Sequence, residues 1–148
     1  NDADAFIGIL PDAFPEAPKE KLYILDNLIE LKQFYNPILI GTETIGLTCA
    51  DRRITENQWE RMLTKLVERI PQGGLIKLHP SFSFHPRKRR NMEIILRKIS
   101  SDSIHVCPDD VIIELEMLHE KKNLVGPLTS LKRYAEAFGS TFEDVELY

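Results

Sequence analysis

Three short stretches of the chain carry side chains able to handle an anion and a sugar. His79-Pro80 offers an imidazole, Asp109, Asp110 and Glu114 offer carboxylates, and Thr129-Ser130 offer two adjacent hydroxyls. An imidazole gives a proton or a hydrogen bond to a leaving phosphate oxygen. A carboxylate accepts both hydrogen bonds of a ribose diol. Hydroxyls at a helix start, with helix N–H groups behind them, suit a phosphate. Together the three stretches read as a nucleotide site.

Each residue also has a plainer reading. Helix capping alone accounts for Thr129 and Ser130, and for Asp109 and Asp110. His79 before a proline closes a strand without any chemistry. Glu114 alone is an ordinary solvated helix residue. His85-Pro86 is a second His-Pro pair and a secondary candidate, placed in a loop rather than at a strand end. His105 lies within a strand and His119 late in a helix. The run Arg87-Lys88-Arg89-Arg90 opens a segment, 87–98, with six basic residues and one acidic, Glu93. Basic residues at a helix start oppose the macrodipole. Beside a solvated helix start, the run therefore suggests attraction to an anionic sugar, a nucleotide or a membrane surface. It lacks the interleaved aromatics of a nucleic-acid binder. No Walker loop, GxGxxG, HExxH, GxSxG or metal-ligand spacing occurs, so no cofactor or metal is expected.

The elements that must position these residues follow from periodicity. Phe6–Leu10 reads as a strand, and Lys19–Phe34 as a helix stopped by Asn36-Pro37. Ile38–Gly41 reads as the next strand. Thr55-Glu56-Asn57-Gln58 is a capping box, and Trp59, Met62, Leu63, Leu66, Val67 and Ile70 follow on one helical face. Leu75–Leu78 is a strand running into His79. Arg87–Ile99 is a helix with Met92, Ile95, Leu96 and Ile99 inward, and Ile104–Cys107 is a strand. Pro108-Asp109-Asp110 opens a helix with an aspartate cap. Leu124–Gly126 is a short strand, Thr129–Phe138 a helix ended by Gly139, and Phe142–Tyr148 a last strand. Strands alternating with helices, without clean polar alternation, predict a doubly wound parallel α/β sheet covered on both faces. Ligands bind such sheets beyond the carboxyl ends of the strands, where the three stretches fall. A boundary is expected near Asn36, with a strand–helix and linker segment over 1–36 and a Rossmann-like domain over 37–148.

Composition bounds the rest. A chain of 148 residues suits one core, burying roughly 70% of its unfolded surface. Hydrophobic residues at 43% and charged residues at 28% exclude whole-chain disorder. A net charge of −4 argues against a nucleic-acid partner. Cys49 and Cys107 form no CxxC, which disfavours a disulfide framework or a zinc cluster. No apolar run approaches a membrane span, and the opening residues lack a signal-peptide pattern. A cytoplasmic location is the expectation.

The order of motifs resembles a known family. Ile-Lys-Leu-His-Pro at 76–80, Val-Cys-Pro-Asp-Asp-Val-Ile-Ile-Glu-Leu at 106–115 and Gly-Pro-Leu-Thr-Ser-Leu at 126–131 are similar to motifs in the nucleotide-binding half of bacterial sialyltransferases. The capsule polysialyltransferases and lipooligosaccharide sialyltransferases are the nearest look-alikes. The resemblance, over roughly residues 37–148, implies the C-terminal domain of a GT-B glycosyltransferase, with CMP-sialic acid as donor and a glycan hydroxyl as acceptor. It assigns His79 to the CMP phosphate as catalytic donor, Thr129 and Ser130 to the same phosphate, and Glu114 to the ribose, with Pro80 beside His79. The basic run Arg87, Lys88, Arg89 and Arg90 adds the expectation of peripheral contact with the inner membrane surface. Family members carry an acidic pair followed by glycine in the other domain, as the base; no such triplet occurs here. Residues 1–36 would then end a preceding domain, or the chain would be a single-domain relative whose base is sought among Glu43, Asp51, Asp109 and Asp110. Rival readings are a GT-B-like polyol-phosphate transferase or nucleotide-sugar epimerase, and a non-catalytic nucleotide-binding or interaction domain.

Overall fold

The computed structural model describes residues 5–10, 14–41, 43–49 and 55–147, apart from the side chain of Phe6. Its leading strand, β1 (Phe6–Gly8), pairs in parallel with β2 (Leu22–Ile24). The expected helix over Lys19–Phe34 is thereby cut. Its first part is a 3₁₀ turn, Lys19–Lys21, followed by β2, and only α1 (Leu28–Phe34) is helical. Tertiary pairing overrides helical spacing here: Leu25 N–H continues the ladder to the Gly8 carbonyl at 2.8 Å. Asn27 then caps the late helix start, accepting from the Glu30 N–H at 3.1 Å. Tyr35 ends α1, just before Asn36-Pro37.

The strand expected at Ile38–Gly41 is instead an extended connector outside any sheet. Its N–H groups find side chains, not a neighbouring strand. Ile38 N–H donates to Glu116 Oε1 at 2.7 Å, and Gly41 N–H to Glu120 Oε2 at 2.9 Å. Lys122, only 1% exposed, donates to the Gly41 carbonyl. The strand itself comes later, as β3 (Thr44–Leu47).

From β3 the expected alternation holds. The order is α2 (Glu56–Glu68), β4 (Gly74–Lys77), α3 (Pro86–Ile99), β5 (Ile104–Val106), α4 (Ile113–His119), β6 (Asn123–Gly126), α5 (Leu131–Phe138) and β7 (Thr141–Asp144). Thr55 and Gln58 close both bonds of the capping box that starts α2. Gly139 ends α5 at φ 77°, a left-handed conformation that favours glycine. The last strand begins and ends earlier than expected: the Val145 N–H makes a final bond to the Gly126 carbonyl at 2.8 Å, and Val145 and Leu147 are buried against the α2–α3 side.

The sheet is all parallel, in the order β5-β4-β3-β6-β7. The chain builds outward from β3 to β5, then returns to the other side of β3. This is a doubly wound, Rossmann-like α/β fold, and the order reverses between β3 and β6. Both faces are covered. Trp59, Leu63, Leu66, Met92 and Leu96 of α2 and α3 pack with Ile76, Leu78 and Val125. Ile113, Met117, Tyr134 and Ala135 of α4 and α5 pack with Ile45, Leu47 and Leu124, joined by the partly buried Ile9, Leu10 and Leu39. Neighbours Leu124 and Val125 go to opposite cores, which is why β6 shows no polar alternation. At Gly46 an added Cβ would lie 2.8 Å from Ile76 and 3.0 Å from Leu66, so glycine lets α2 pack closely over β3.

Candidate functional site

At the strand-order reversal, the loops after β3 and β6 leave in opposite directions and open a crevice. A cavity of about 380 Å³ occupies it. Leu47 and Thr48 line it from β3, Lys77 to Pro80 from β4, Asp109 and Val111 to Glu114 from the β5–α4 loop and α4, and Thr129 to Leu131 from the start of α5. His79, Pro80, Glu114, Thr129 and Ser130, from three separate stretches, therefore border one space. His85 does not line it; it joins the 3₁₀ helix Pro80–Phe84 to α3. The close approach of β3 and β6 depends on Gly126, where an added Cβ would lie 2.9 Å from both the Leu47 carbonyl oxygen and its Cβ.

A larger groove, about 650 Å³, runs beside the edge strand β5 and the end of α3, from Glu93 to Val106. It contains none of the expected residues. The helix end at its wall is the carboxyl end of α3, capped by Ser100. Carbonyl groups gather there, which is the wrong polarity for a phosphate. The smaller cavity is the one whose chemistry fits.

His79 caps the Pro80–Phe84 3₁₀ helix. Its Nδ1 accepts from the Ser81 N–H at 3.1 Å and lies 3.0 Å from the Ser81 hydroxyl. A peptide N–H only donates, so Nδ1 carries the lone pair and the ring proton belongs on Nε2. Burial pushes the imidazole pKa below its ordinary value. His79 is thus held as a neutral ring with Nε2–H as its donor. Its own N–H donates to Thr48 Oγ1 at 3.0 Å, and Thr48 is 6% exposed. The end of β3 thereby fixes the turn after β4.

Lys77 stands two residues before His79, at the end of the same strand. Its ammonium group donates to the carbonyls of Pro108, Asp109 and Val111 at 3.2, 3.2 and 2.9 Å. Three donors meet three acceptors, and the loop from β5 to α4 is held in place. Asp109 and Asp110 lie in this loop and do not cap a helix; α4 begins only at Ile113, with no side-chain cap. The Lys77 bonds account for the delay, because they hold the loop carbonyls outside the helix. Asp109 instead pairs with Arg89, whose Nε also meets Glu93 at 3.1 Å. Arg89 is thus a structural tie from α3 to the cavity rim, while Arg87, Lys88 and Arg90 are exposed.

Glu114 is the second residue of α4 and half-buried. Burial raises its pKa above the ordinary glutamate value, while its own backbone N–H and the Lys77 charge pull the other way. Thr129 Oγ1 accepts from the Leu131 N–H at 3.2 Å. The Lys132 and Arg133 N–H groups bond the Thr129 and Ser130 carbonyls at 3.2 and 3.0 Å. The first turn of α5 is therefore tight, and these three N–H groups are already used, contrary to the expectation of free ones. Ser130 makes no capping bond with its hydroxyl. What the site offers an anion is the two hydroxyls and the positive end of α5.

Among the other carboxylates considered as a base, Glu43 lies at the opposite end of β3, where its carbonyl accepts from the Asn123 N–H at 2.9 Å. Asp51 is outside the described residues. Asp110 does not line the cavity, and Asp109 is tied to Arg89. The Cys107 thiol, 1% exposed, is pushed up to about 11 by burial and is no nucleophile. No cluster of three or more His, Cys, Asp or Glu is placed to hold a metal among the described residues.

Sequence reasoning missed Thr48 and Lys77. Thr48 gives no signal when the sheet is read as starting at Ile38–Gly41, because its place at the end of β3 follows only from the observed strand Thr44–Leu47. Lys77 was readable: residues two apart on a strand share a face, so a lysine at 77 accompanies His79. Comparisons with protein-family models, with curated proteins and with solved structures give no match to this chain.

Proposed function

We propose that the cavity binds the CMP moiety of CMP-sialic acid, and that the chain is the nucleotide-sugar-binding domain of a sialyltransferase acting on a glycan hydroxyl. One observation carries the reading. The residues singled out by motif order, His79, Pro80, Glu114, Thr129 and Ser130, line a single cavity at the strand-order reversal of a doubly wound sheet.

The chemistry follows from charge. Breaking the bond between sugar and phosphate builds negative charge on the CMP phosphate. A donor aimed there helps most in the transition state, where that charge is largest. His79 Nε2–H is the main donor, with the Thr129 and Ser130 hydroxyls and the positive end of α5 beside it. Glu114 accepts from the ribose hydroxyls. The acceptor hydroxyl needs a base within hydrogen-bond reach. Asp109 is occupied by Arg89, so in this reading the base comes from a second domain facing the cavity. A cytoplasmic place belongs to the same proposal, with peripheral contact to the inner membrane through Arg87, Lys88 and Arg90. No helix of the described residues is long and apolar enough to cross a membrane.

The test is the phosphate pair. Thr129→Ala with Ser130→Ala should weaken CMP binding at least tenfold by calorimetry, while stability falls by only about 1 kcal/mol, the cost of one lost cap. Unchanged CMP affinity in the double variant would remove the phosphate role and the reading with it.

A further inference from the structure

The connector is tied to α4 and its end by two carboxylates, Glu116 and Glu120, the first of them buried. Tyr35 hydroxyl donates to Glu116 Oε1 at 2.8 Å and accepts from the Ile112 N–H at 3.2 Å. The same Glu116 oxygen accepts from the Ile38 N–H at 2.7 Å, with the Leu39 N–H 3.4 Å away. Glu116 is 0% exposed. A carboxylate so buried persists only when its oxygens are hydrogen-bonded, and these donors come from Tyr35 at the end of α1 and from the connector that follows it. On the other side of the phenol, Ile112 precedes α4, which has no side-chain cap of its own. Ile112, Ile113 and Glu114 form one wall of the cavity. Lys77 grips the preceding loop from the sheet through three carbonyls. The loop is therefore held at both ends, by Lys77 from within and by Tyr35 from the end of α1.

We infer that Tyr35, seated on Glu116, is a positioning residue for the cavity: it fixes the Ile112–Glu114 wall and couples the leading β1–β2–α1 unit to ligand binding. The inference deepens the nucleotide reading and rests on it only for the identity of the ligand. Tyr35 is pushed up to about 12 by burial, with the Glu116 charge adding to the shift. It therefore stays a protonated donor throughout the physiological range. A pull on the connector is transmitted through the phenol to the Ile112 N–H and so to the residue that meets the ribose. In this way the leading unit gains a polar route to the cavity wall, beside the apolar packing of Ile9 and Leu10 on the cluster that includes Val111 and Ile113.

The experiment uses Tyr35→Phe, which keeps the ring and deletes the hydroxyl, with Tyr23→Phe on the exposed face of β2 as a control. Three readouts are taken by NMR and calorimetry: exchange of the Ile112 amide, titration of the Glu114 carboxyl carbon, and CMP affinity. Tyr35→Phe should speed Ile112 exchange about tenfold, a local opening rather than global unfolding. The Glu114 midpoint should fall toward the ordinary glutamate value as its burial loosens, and CMP affinity should drop roughly fivefold. Tyr23→Phe should change none of these. Unchanged Ile112 exchange with an unchanged Glu114 midpoint would overturn the inference, and so would a loosened wall with full CMP affinity. If the unaltered chain binds no CMP, the nucleotide reading fails. The Glu114 midpoint then decides the positioning role by itself, a shift upholding it and no shift ending it.

Discussion

His79 has its chemistry set by a neighbouring backbone. The Ser81 N–H claims Nδ1, so the ring offers Nε2–H as donor, and burial keeps it neutral. In an enzyme carrying this domain and its facing partner, His79→Ala should lower turnover by roughly 10²–10³-fold, the range for losing one hydrogen-bond donor aimed at developing negative charge. His85→Ala, off the cavity, should leave turnover nearly unchanged; steady-state kinetics of both variants decides between the two His-Pro pairs. Glu114 shows the opposite side of burial. Its folded pKa is raised, so its contribution to stability is present below the unfolded glutamate value and is lost as pH rises through the folded one. Charging the buried group is therefore a stability cost. Glu114→Gln should therefore raise the melting temperature at pH 7, with the gain vanishing in acid. It should also weaken CMP binding by about 10–100-fold, the loss of roughly 1.5–3 kcal/mol of hydrogen bonding to a charged group. A variant that melts lower at pH 7, or binds CMP as well as the unaltered chain, would contradict this account of the residue. The candidate residues themselves were legible in the sequence because each follows a strand. Their working states were not, since a tautomer and a buried carboxyl are set by contacts from elsewhere in the chain.

Elements with strong local signals were readable, and those fixed by distant partners were not. The capping box at Thr55 and Gln58 and the face from Trp59 to Leu66 specify α2 almost by themselves. Thr55→Ala should cost about 1 kcal/mol in chemical denaturation and leave CMP affinity untouched, because α2 lies away from the cavity. A loss of CMP affinity in that variant would show that α2 sets the site as well as the core. The leading unit taught the reverse lesson. Leu25, Leu28 and Ile29 have helical spacing, yet they are 45, 39 and 73% exposed, so the spacing did not report a buried face. Ile38–Gly41 has the composition of a strand, but its N–H groups are claimed by Glu116 and Glu120, which lie far along the chain. Pro108-Asp109-Asp110 has the composition of a helix start, but Lys77 holds its carbonyls in a loop.

On the scale of the whole molecule, the alternation of elements was enough to give the parallel sheet, and the rule of carboxyl ends was enough to gather the candidate residues. The reversal between β3 and β6, where the cavity opens, was not legible while the first strand stood at Ile38. The basic run also divides only in three dimensions: Arg89 is drawn inward to Asp109 and Glu93, while Arg87, Lys88 and Arg90 face solvent. The nucleotide reading is the claim on which the rest depends, and a ligand panel followed by NMR on the labelled chain tests it most directly. CMP, UDP and CDP-glycerol would be added separately at equal concentration, and amide shifts read residue by residue. The account predicts that CMP binds weakly, with a Kd of roughly 0.1–1 mM, and shifts the amides of Thr48, His79, Glu114, Thr129 and Ser130. UDP or CDP-glycerol moving those amides more than CMP, or CMP moving only residues of the groove beside β5, would contradict it.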